Sequence, residues 1–355
     1  MTKLWDKTKV GTIELPHRLV MAPMTRSRAQ GDGVPGELAA QYYGQRASMG
    51  LIISEGSQPS AEGQGYLFTP GIYTQEQIAG WRTVTNAVHQ SGGSMYIQLM
   101  HVGRISHPEN TPDHHQAVAP SAVAPGVPIF TAKGMREVPV PRELTEEEIQ
   151  GAIADFRKAA ASAIEAGADG VEIHGANGYL IHQFLGENSN LRTDSYGATV
   201  ENRARFAIEV AKAVVDEIGA DRVGFRISPK SPLGGIDEGT LGPDVYRYLV
   251  KELNALHLSY LHVMHAGGEE LLQDIRSIWE NPLIVNRAGR ALADLDKDIQ
   301  AGAADLASVG QWALANPDFI DRLKNGYPLN PVKPETLYAG EGSDGYTDYP
   351  TYAVR

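Results

Sequence analysis

The sequence predicts an α/β protein built as a (β/α)8 TIM barrel, and three observations lead to this fold class. Eight short runs rich in β-branched and other apolar residues recur along the 355 residues. Near-continuous apolar character is typical of parallel strands that are buried on both faces. Helix-like segments separate several of these runs, and several runs end in polar residues. This alternation favours a closed barrel, although a count of strands leaves an open doubly wound sheet possible.

The eight runs give the expected strands in chain order. They are Arg18–Met21, Leu51–Ser54, Ser94–Leu99, Gly170–Ile173, Val223–Ile227, Leu261–Val263, Leu283–Val285 and Leu306–Val309. Active sites of such barrels lie at the carboxyl ends of the strands, so the residues after each run are the candidates for function.

Two of the intervening segments carry clear helical signals. Residues Thr145 to Glu148 match a capping box, in which a threonine and a glutamate three positions later bond each other's backbone N–H groups. Apolar residues then recur every three or four positions, which predicts one buried helix face. The two faces consist of Ile149, Ile153, Phe156, Ala160 and Ile164 before Gly167, and of Phe206, Val210, Ala213, Val214 and Ile218 before Gly219.

Two segments fall outside the alternation. Residues 103–144 hold many prolines and histidines without a helical period, so we expect a small lid-like insertion, with a hairpin, between strands three and four. Residues 328–355 lack periodicity and carry four tyrosines, so this C-terminal tail is expected either to be loose or to fold back on the body. The chain shows no internal repeat, and residues 1–355 are expected to form one domain.

The composition excludes several classes of protein. The net charge of −12 disfavours nucleic-acid binding, which needs clustered positive charge. The absence of cysteine excludes disulfides, thiolate nucleophiles and cysteine-bound metal centres. No apolar run approaches the ~18 residues of a membrane span, and residues 1–10 contain no apolar signal-peptide core. We therefore expect a cytoplasmic protein without nucleic-acid or membrane partners.

Two loose groups of histidines raise the question of a metal site. Neither group shows ligand spacing with supporting carboxylates, so we predict no bound metal. The groups are His101, His114 and His115, and His257, His262 and His265.

The fourth run leads into the most informative stretch of the chain. Directly after it, His174, Asn177 and Tyr179 place an imidazole, an amide and a phenol within six positions. Donors at the carboxyl end of a barrel strand lie where chemistry can use them. This spacing favours a catalytic function over three packed side chains.

Other strand ends add further polar groups. Thr25 follows strand one, Gln98 lies near the end of strand three, and Arg226 near the end of strand five. After strands seven and eight, Asn286–Arg290 and Gly310-Gln311 form a glycine-rich, cationic rim. Such barrels often bind phosphate at this rim, through backbone N–H groups and a helix N-terminus.

The chain also carries eight longer motifs, distributed over nearly its whole length. They are APMTR at Ala22–Arg26, LIISEG at Leu51–Gly56, IQLMHVGR at Ile97–Arg104, HGANGYLIHQFL at His174–Leu185, NLRTDSYG at Asn190–Gly197, ENR at Glu201–Arg203, ANPDFIDRL at Ala315–Leu323 and GYTDYP at Gly345–Pro350. As a set, they resemble the motifs of the old yellow enzyme family of flavin-dependent ene-reductases. The resemblance implies a barrel that holds FMN noncovalently. In this family, hydride passes from NADPH or NADH to the flavin and then, through flavin N5, to the β-carbon of an activated alkene.

The resemblance also implies which residues contact the cofactor. Pro23, Met24 and Thr25 would line the isoalloxazine, with the Thr25 hydroxyl directed at its C4 carbonyl. Gln98 would bond the pyrimidine edge, and Arg226 would stabilise the anionic reduced ring near N1 and the C2 carbonyl. The other candidates for cofactor contact are Gly56, Arg287, Gly289, Arg290, Gly310, Gln311 and Tyr346.

The resemblance assigns catalysis to the residues after strand four. His174 and Asn177 resemble the pair that binds the carbonyl or nitro oxygen of the substrate through hydrogen bonds that strengthen as this oxygen gains charge. Tyr179 resembles the proton donor to the α-carbon. Tyr66 and Met100 would line the substrate pocket. The expected partners are small electron-poor alkenes (enals, enones, maleimides and nitroalkenes), and the expected assembly is a monomer or a homodimer.

Three positions depart from the pattern of the family. Gln311 replaces a common arginine that binds the FMN phosphate, and a neutral amide cannot neutralise that charge. Our hypothesis is that Arg287 or Arg290 supplies the replacement cation. Met100 stands where many relatives have tryptophan, which predicts a roomier pocket because methionine is slimmer and flexible. Asn177 replaces the second histidine of a pair seen in some relatives, which would alter substrate preference rather than the type of reaction.

Two other functions stay open from the residues alone. A barrel flavoprotein could run a different redox reaction, such as amine oxidation. The larger relatives that reduce dienoyl thioesters need cysteine-bound clusters, which this chain cannot build. A cofactor-free barrel could serve as a binding scaffold with inert rim residues. The residues do not distinguish NADPH from NADH.

Overall fold

The structure, a computed structural model, describes residues 3–340 and 342–353. Eight parallel strands pair in chain order, and the last pairs with the first, which closes the barrel. The open-sheet alternative is thereby excluded, and the predicted fold class is confirmed. The strands are β1 (Leu19–Met21), β2 (Leu51–Ser57), β3 (Met95–Leu99), β4 (Gly170–His174), β5 (Val223–Ile227), β6 (Tyr260–Met264), β7 (Leu283–Asn286) and β8 (Leu306–Val309).

Helices follow each strand of the barrel. They are α1 (Glu37–Gly44), α2 (Gln75–Gln90), α3 (Glu146–Glu165), α4 (Leu180–Leu185), α5 (Val200–Ile218), α6 (Gly242–Asn254), α7 (Glu269–Ile278), α8 (Lys297–Gln300), α9 (Gln311–Ala315) and α10 (Phe319–Asn325). Within the described residues, no helix has both the length and the apolar character needed to cross a membrane.

The predicted strands agree with the observed ones apart from their ends. The largest difference is in β2, which continues three residues beyond its predicted end, to Ser57. Its register with β3 shifts between Ile53 and Gly56. Such an irregularity bends a strand locally, and an apolar run does not reveal it because the extra residues are polar or glycine.

Helix α3 begins at the predicted capping box. The Glu148 N–H donates to Thr145 Oγ1 at 3.2 Å, and the Thr145 N–H donates to Glu148 Oε2 at 2.8 Å. The hydrogen bonds from Arg142 and from the Thr145 N–H lower the pKa of Glu148 to about 2. Its charge therefore persists at neutral pH and favours the helix N-terminus, where the macrodipole is positive.

An apolar layer fills the N-terminal end of the barrel. A hairpin of Thr8–Val10 and Ile13–Leu15 packs there through Val10 and Leu15. The side chains that meet it are Val20, Leu51, Ile53, Tyr96, Tyr260, Ile284 and Leu306. Because this end is filled, the polar interior and the space for a ligand are confined to the carboxyl ends of the strands.

The insertion between β3 and β4 contains the expected hairpin. Its two strands are Pro128–Thr131 and Gly134–Glu137. Two further short strands of the insertion, Val118–Ala119 and Arg142–Glu143, pair with each other.

The described part of the C-terminal tail folds back on the body. Arg26 donates to the carbonyl oxygens of Thr336, Leu337 and Gly345 at 3.3, 3.1 and 2.7 Å. Tyr346 stacks on Tyr42 with ring centroids 4.5 Å apart. Of the two expectations for the tail, the folded-back arrangement is therefore the correct one.

Candidate active site

A cavity of about 730 Å³ opens at the carboxyl ends of the strands. Its volume is typical of sites for cofactors and small molecules. It brings together segments that are distant in the sequence, including the lid hairpin and the tail. Of the predicted site residues, the wall of the cavity includes Pro23, Met24, Thr25, Tyr66, Gln98, Met100, His174, Asn177, Tyr179, Arg226 and Gln311.

His174 is the last residue of β4 and presents a neutral imidazole. Burial and the charge of Arg226 hold the pKa of His174 well below its ordinary value. Its Nδ1 accepts the Ala176 N–H at 3.3 Å, so the proton of the neutral ring lies on Nε2. No hydrogen bond joins this Nε2–H to another described residue, which leaves it available to a ligand.

Asn177 lies in a left-handed turn that aims its side chain at the cavity. Its φ is 58°, a conformation that asparagine tolerates better than most residues. The Asn177 N–H donates to Ser228 Oγ at 2.8 Å, which fixes the turn. Gly178 follows at φ 84°, and a Cβ there would overlap the carbonyl of Leu233. The buried Oδ1 of Asn177 has no hydrogen-bond partner within residues 3–340 and 342–353.

Tyr179 stands between His174 and Tyr66. Its hydroxyl lies 3.1 Å from the Tyr66 hydroxyl, and its ring packs edge-on against the His174 ring with centroids 5.0 Å apart. Burial raises the pKa of Tyr179, so the phenol keeps its proton at neutral pH. Helix α4 begins directly after Tyr179 and fixes its backbone.

Arg226 brings a buried positive charge to the cavity. The residue is 4% exposed, and its Nε has no hydrogen-bond partner in the described part of the chain. Burial lowers the pKa of Arg226 and the carboxylate of Glu172 raises it, and an arginine stays charged in proteins. A buried charge without a bonded partner costs free energy unless something else compensates for it. Arg226 is therefore placed where it could pair with an electron-rich ligand in the cavity.

Arg287 and Arg290, in contrast, already have acidic partners. Arg287 Nε donates to Asp298 Oδ2 at 2.7 Å, and its Nη2 donates to Glu269 Oε2 at 3.0 Å. Arg290 Nη1 donates to the same Asp298 oxygen at 2.7 Å. Neither arginine belongs to the wall of the cavity. Asp298 of α8 and Glu269 of α7 thus neutralise the two guanidinium groups, which argues against a free replacement cation here. That hypothesis stays a prediction, and FMN affinity tests it.

Two further residues that were expected to contact the cofactor do not line this cavity. Gly56 lies behind Met100, because a Cβ on Gly56 would overlap the Met100 side chain, and only Met100 reaches the cavity. Tyr346 is 1% exposed, and the guanidinium of Arg26 lies 5.2 Å from its ring centroid. Tyr346 therefore holds the tail in place and is not part of the wall.

The two remaining glycines are not part of the wall of the cavity. Gly310 precedes α9, and a Cβ there would lie 3.3 Å from the Met24 sulfur. Its neighbour Gln311 lines the cavity. Gly289 has a φ of 77° and open space around its α-carbon, in the loop after β7.

Several residues of the site were not predicted individually. The insertion was expected to cover the barrel, but which of its side chains face inward depends on the register of its hairpin. The unpredicted part of the wall includes Val127, Pro128, Ile129 and Phe130 of the insertion, Leu233 and Gly234, and Leu337, Tyr338 and Ala339 of the tail. Glu172 was also missed, although a carboxylate within a doubly buried strand is itself a signal of function.

Comparison with known proteins decides the family. A family model described as the NADH:flavin oxidoreductase / NADH oxidase family matches residues 3–330. The 12-oxophytodienoate reductase 2 of Arabidopsis thaliana is 40% identical over 356 residues, which cover 97% of this chain and 94% of the relative. The chain belongs to the old yellow enzyme family. As a member of this family, it is a flavin oxidoreductase that uses FMN and a reduced nicotinamide.

Other members of the old yellow enzyme family are similarly close. A probable flavin mononucleotide-dependent alkene reductase of Leishmania infantum is 41% identical, over 96% of this chain and 95% of the relative. The structure of morphinone reductase in complex with tetrahydroNAD has a TM-score of 0.95 at 40% identity, covering 99% of this chain and 98% of that one. The old yellow enzyme homologue from Zymomonas mobilis has a TM-score of 0.94 at 36% identity, covering 98% and 99%.

The polar groups of the cavity fit FMN. An isoalloxazine has apolar faces and a polar pyrimidine edge. Pro23 and Met24 supply apolar wall, whereas Gln98 and the incompletely bonded guanidinium of Arg226 supply polar partners. Gln311 can donate hydrogen bonds to the phosphate without neutralising it. The residues present therefore suit the ring better than they suit the phosphate.

Proposed function

We propose that this protein reduces small electron-poor alkenes, namely enals, enones, maleimides or nitroalkenes, with NADPH or NADH through bound FMN. One observation supports this most strongly. Polar groups that lack a full set of partners among the described residues converge in one cavity, at His174, Asn177 and Arg226, beside the phenol of Tyr179. Relatives named as reductases of 12-oxophytodienoate and of alkenes agree with this class of substrate.

The cofactor would be held mainly by residues at the ends of β1, β3 and β5. Pro23, Met24 and Thr25 would form the wall against the isoalloxazine, with Gln98 and Arg226 at its pyrimidine edge. Bound FMN supplies two-electron redox chemistry that links the nicotinamide to the alkene. Arg226 favours negative charge in this part of the cavity, because its own charge is buried and already in place.

His174 and Asn177 would bind the oxygen that activates the alkene. His174 can donate from Nε2 because its Nδ1 is occupied by the Ala176 N–H. Its pKa is low, so the ring acts as a hydrogen-bond donor and not as an acid. The donors are the Nε2–H of His174 and the Nδ2–H of Asn177. Both bind more strongly as the oxygen becomes negative during reduction, so they stabilise the transition state more than the bound substrate.

Tyr179 would deliver the proton to the α-carbon. Its raised pKa keeps the phenol protonated until the neighbouring carbon becomes basic. The Tyr66 hydroxyl, 3.1 Å away, can donate to the phenolate oxygen that remains after the transfer. Tyr66 would thereby hold Tyr179 in one orientation and lower the cost of its negative charge.

Anaerobic spectroscopy of the purified protein tests the proposal. We expect a yellow protein that is bleached by NADPH or NADH and regains its colour when an enone or a nitroalkene is added. A protein that is bleached by amines and not by nicotinamides would instead be an amine oxidase. A colourless protein that does not take up added FMN would be a binding scaffold.

Two predictions accompany this function. The assembly is expected to be a monomer or a homodimer, which the molecular mass in solution tests. The location is expected to be cytoplasmic, which a fluorescent fusion tests.

A further inference from the structure

A buried carboxylate lies beneath the cavity, where the proposed function gives it no task. Glu172 is fully buried on β4, two residues before His174, so the two side chains point into the barrel from the same face of the strand. At about 3.3 Å of rise per residue, Glu172 lies roughly 7 Å deeper than His174. It is outside the wall of the cavity and touches the site only through other side chains.

Three donors converge on the two oxygens of this carboxylate. Gln98 Nε2 lies 2.7 Å from Oε1, whereas His262 Nδ1 and the Tyr260 hydroxyl lie 2.8 and 3.1 Å from Oε2. Burial alone would raise the pKa of Glu172, but His262, Arg226 and Gln98 together hold it below its usual value. The group is therefore an acceptor only, and each of its three neighbours must present an N–H or O–H to it.

The state of His262 supports this direction of the hydrogen bonds. Burial lowers the pKa of His262, so the ring is neutral and has one proton. That proton lies on Nδ1, facing the carboxylate, and Nε2 accepts from the Ser308 hydroxyl at 2.8 Å. In each of the three hydrogen bonds to Glu172, the neighbouring side chain is then the donor and the carboxylate is the acceptor. Reversing the direction of any of them would place two acceptors together.

The amide of Gln98 is consequently fixed in one of its two orientations. A flipped amide would place its carbonyl oxygen against the Glu172 carboxylate, two negative atoms at hydrogen-bond distance in a buried site, which is strongly unfavourable. With the nitrogen bound to Glu172, the carbonyl oxygen is the atom left for the cavity that Gln98 lines. An acceptor oxygen beside an NH₂ group is complementary to an imide, which offers an N–H beside a carbonyl.

We propose that Glu172 is a positioning residue that makes Gln98 an acceptor for the imide N–H of the cofactor ring. This inference rests on the proposed placement of the pyrimidine edge of FMN at Gln98. Without the charge of Glu172, the amide of Gln98 can adopt either orientation at little cost. Recognition of the N–H would then be lost even though Gln98 itself is unchanged.

Flavin affinity tests the proposal without reference to turnover. The full-length protein is freed of flavin, and the dissociation constants of FMN and of FMN methylated at N3 are measured by fluorescence quenching. The methyl group removes the N–H and leaves the buried carbonyl oxygen of Gln98 without a donor, which typically costs a factor of about 10 to 100. We expect the wild type to prefer FMN by about this factor, and Glu172→Gln to reduce the preference to about threefold or less.

Three comparisons make the outcome decisive. Loss of general packing would weaken both flavins equally and leave their ratio unchanged, whereas loss of orientation changes the ratio. Tyr260→Phe is the matched control, because it removes one bond to Glu172 while leaving its charge and its bond to Gln98, and it should keep the wild-type ratio. If Glu172→Gln does not fold, Glu172→Asp withdraws the charge from Gln98 by one methylene and should lower the ratio in the same direction.

The possible failures are distinguishable. A wild type that binds both flavins equally would overturn the placement of the ring edge at Gln98, and the inference with it. A wild type that discriminates while the Glu172 variants discriminate equally well would overturn the role of Glu172 alone. A ratio that also collapses in Tyr260→Phe would overturn it too, because the effect would then follow packing and not charge.

Discussion

The charged and polar groups at the two sides of the barrel mouth differ in whether they have partners within the protein. At the carboxyl ends of β4 and β5, the Nε2–H of His174 and the Nε of Arg226 lack protein partners among the described residues. After β7, Arg287 and Arg290 each bond Asp298, and Arg287 also bonds Glu269. Both regions are cationic in the sequence, so charge alone does not identify a binding site. A buried polar group without a hydrogen-bond partner in a cavity therefore indicates a ligand site, whereas a group that is paired within the protein indicates a contribution to folding stability.

The comparison predicts its largest effect at Tyr179, on the incomplete side. In Tyr179→Phe, reoxidation of the flavin by an alkene should slow by about 100-fold or more, because general acid catalysis contributes factors of this size. Reduction by NADPH or NADH should stay within about twofold, since no proton reaches the α-carbon in that half-reaction. Stopped-flow absorbance separates the two steps, with Tyr66→Phe as the milder control. Equal slowing of both half-reactions would remove Tyr179 from the proposed role.

Arg226 provides a second test of the cavity at β4 and β5, through FMN affinity and through the stability of the flavin-free protein. Arg226→Met should weaken FMN binding by about 10- to 100-fold, because it removes charged hydrogen bonds to the ring. The stability of the flavin-free protein should change little, because removal of an incompletely bonded buried donor is offset by loss of the charge that stabilises the Glu172 carboxylate. Chemical denaturation with and without FMN measures both effects. A variant that binds FMN as tightly as the wild type would mean that Arg226 does not contact the cofactor.

Arg287 and Arg290 should behave in the opposite way. In Arg287→Met and Arg290→Met, FMN affinity should change by less than about threefold, because neither charge is free, while stability should fall by about 1 kcal/mol through the lost ion pairs. The same two assays used for Arg226 provide the measurement. A tenfold loss of FMN affinity in either variant would support the hypothesis that this arginine binds the FMN phosphate in place of the arginine that Gln311 replaces.

The smallest effect is expected at Met100. This residue is apolar, so it tests the size of the pocket and not the pairing of charged groups. Met100→Trp should lower kcat/KM for bulky alkenes several-fold while leaving small ones nearly unchanged, since loss of space costs roughly 1–3 kcal/mol only where the substrate fills it. Met100→Leu conserves volume and is the control. An unaltered substrate range in the tryptophan variant would show that this position does not limit the pocket.

The distance along the chain between interacting residues explains which features could be predicted from the sequence. The strands, the capping box at Thr145 and the group of His174, Asn177 and Tyr179 depend on neighbours a few positions apart, so local patterns predicted them. The role of Tyr346 depends on packing against Tyr42, and the pairing of Arg287 depends on residues on two other helices.

Gly56 shows the same limit within a single strand. It borders a register irregularity in β2 and is covered by Met100, the residue that follows β3. A motif locates such a residue in the chain but does not tell which side chain stands in front of it. The spacing of residues in the sequence does not encode contacts across the fold. For this reason the sequence did not reveal that Gly56, Tyr346, Arg287 and Arg290 lie outside the wall of the cavity.

Arg26 joins the two extremes of the chain, since its guanidinium binds the carbonyl of Gly345, 319 positions later. Its neighbours Pro23, Met24 and Thr25 form one side of the cavity. The wall of the cavity is therefore incomplete until Thr336, Leu337 and Gly345 have been synthesised and have folded back on Arg26. A variant that is truncated before Thr336 should accordingly lose the wall that Leu337, Tyr338 and Ala339 supply and bind flavin less tightly.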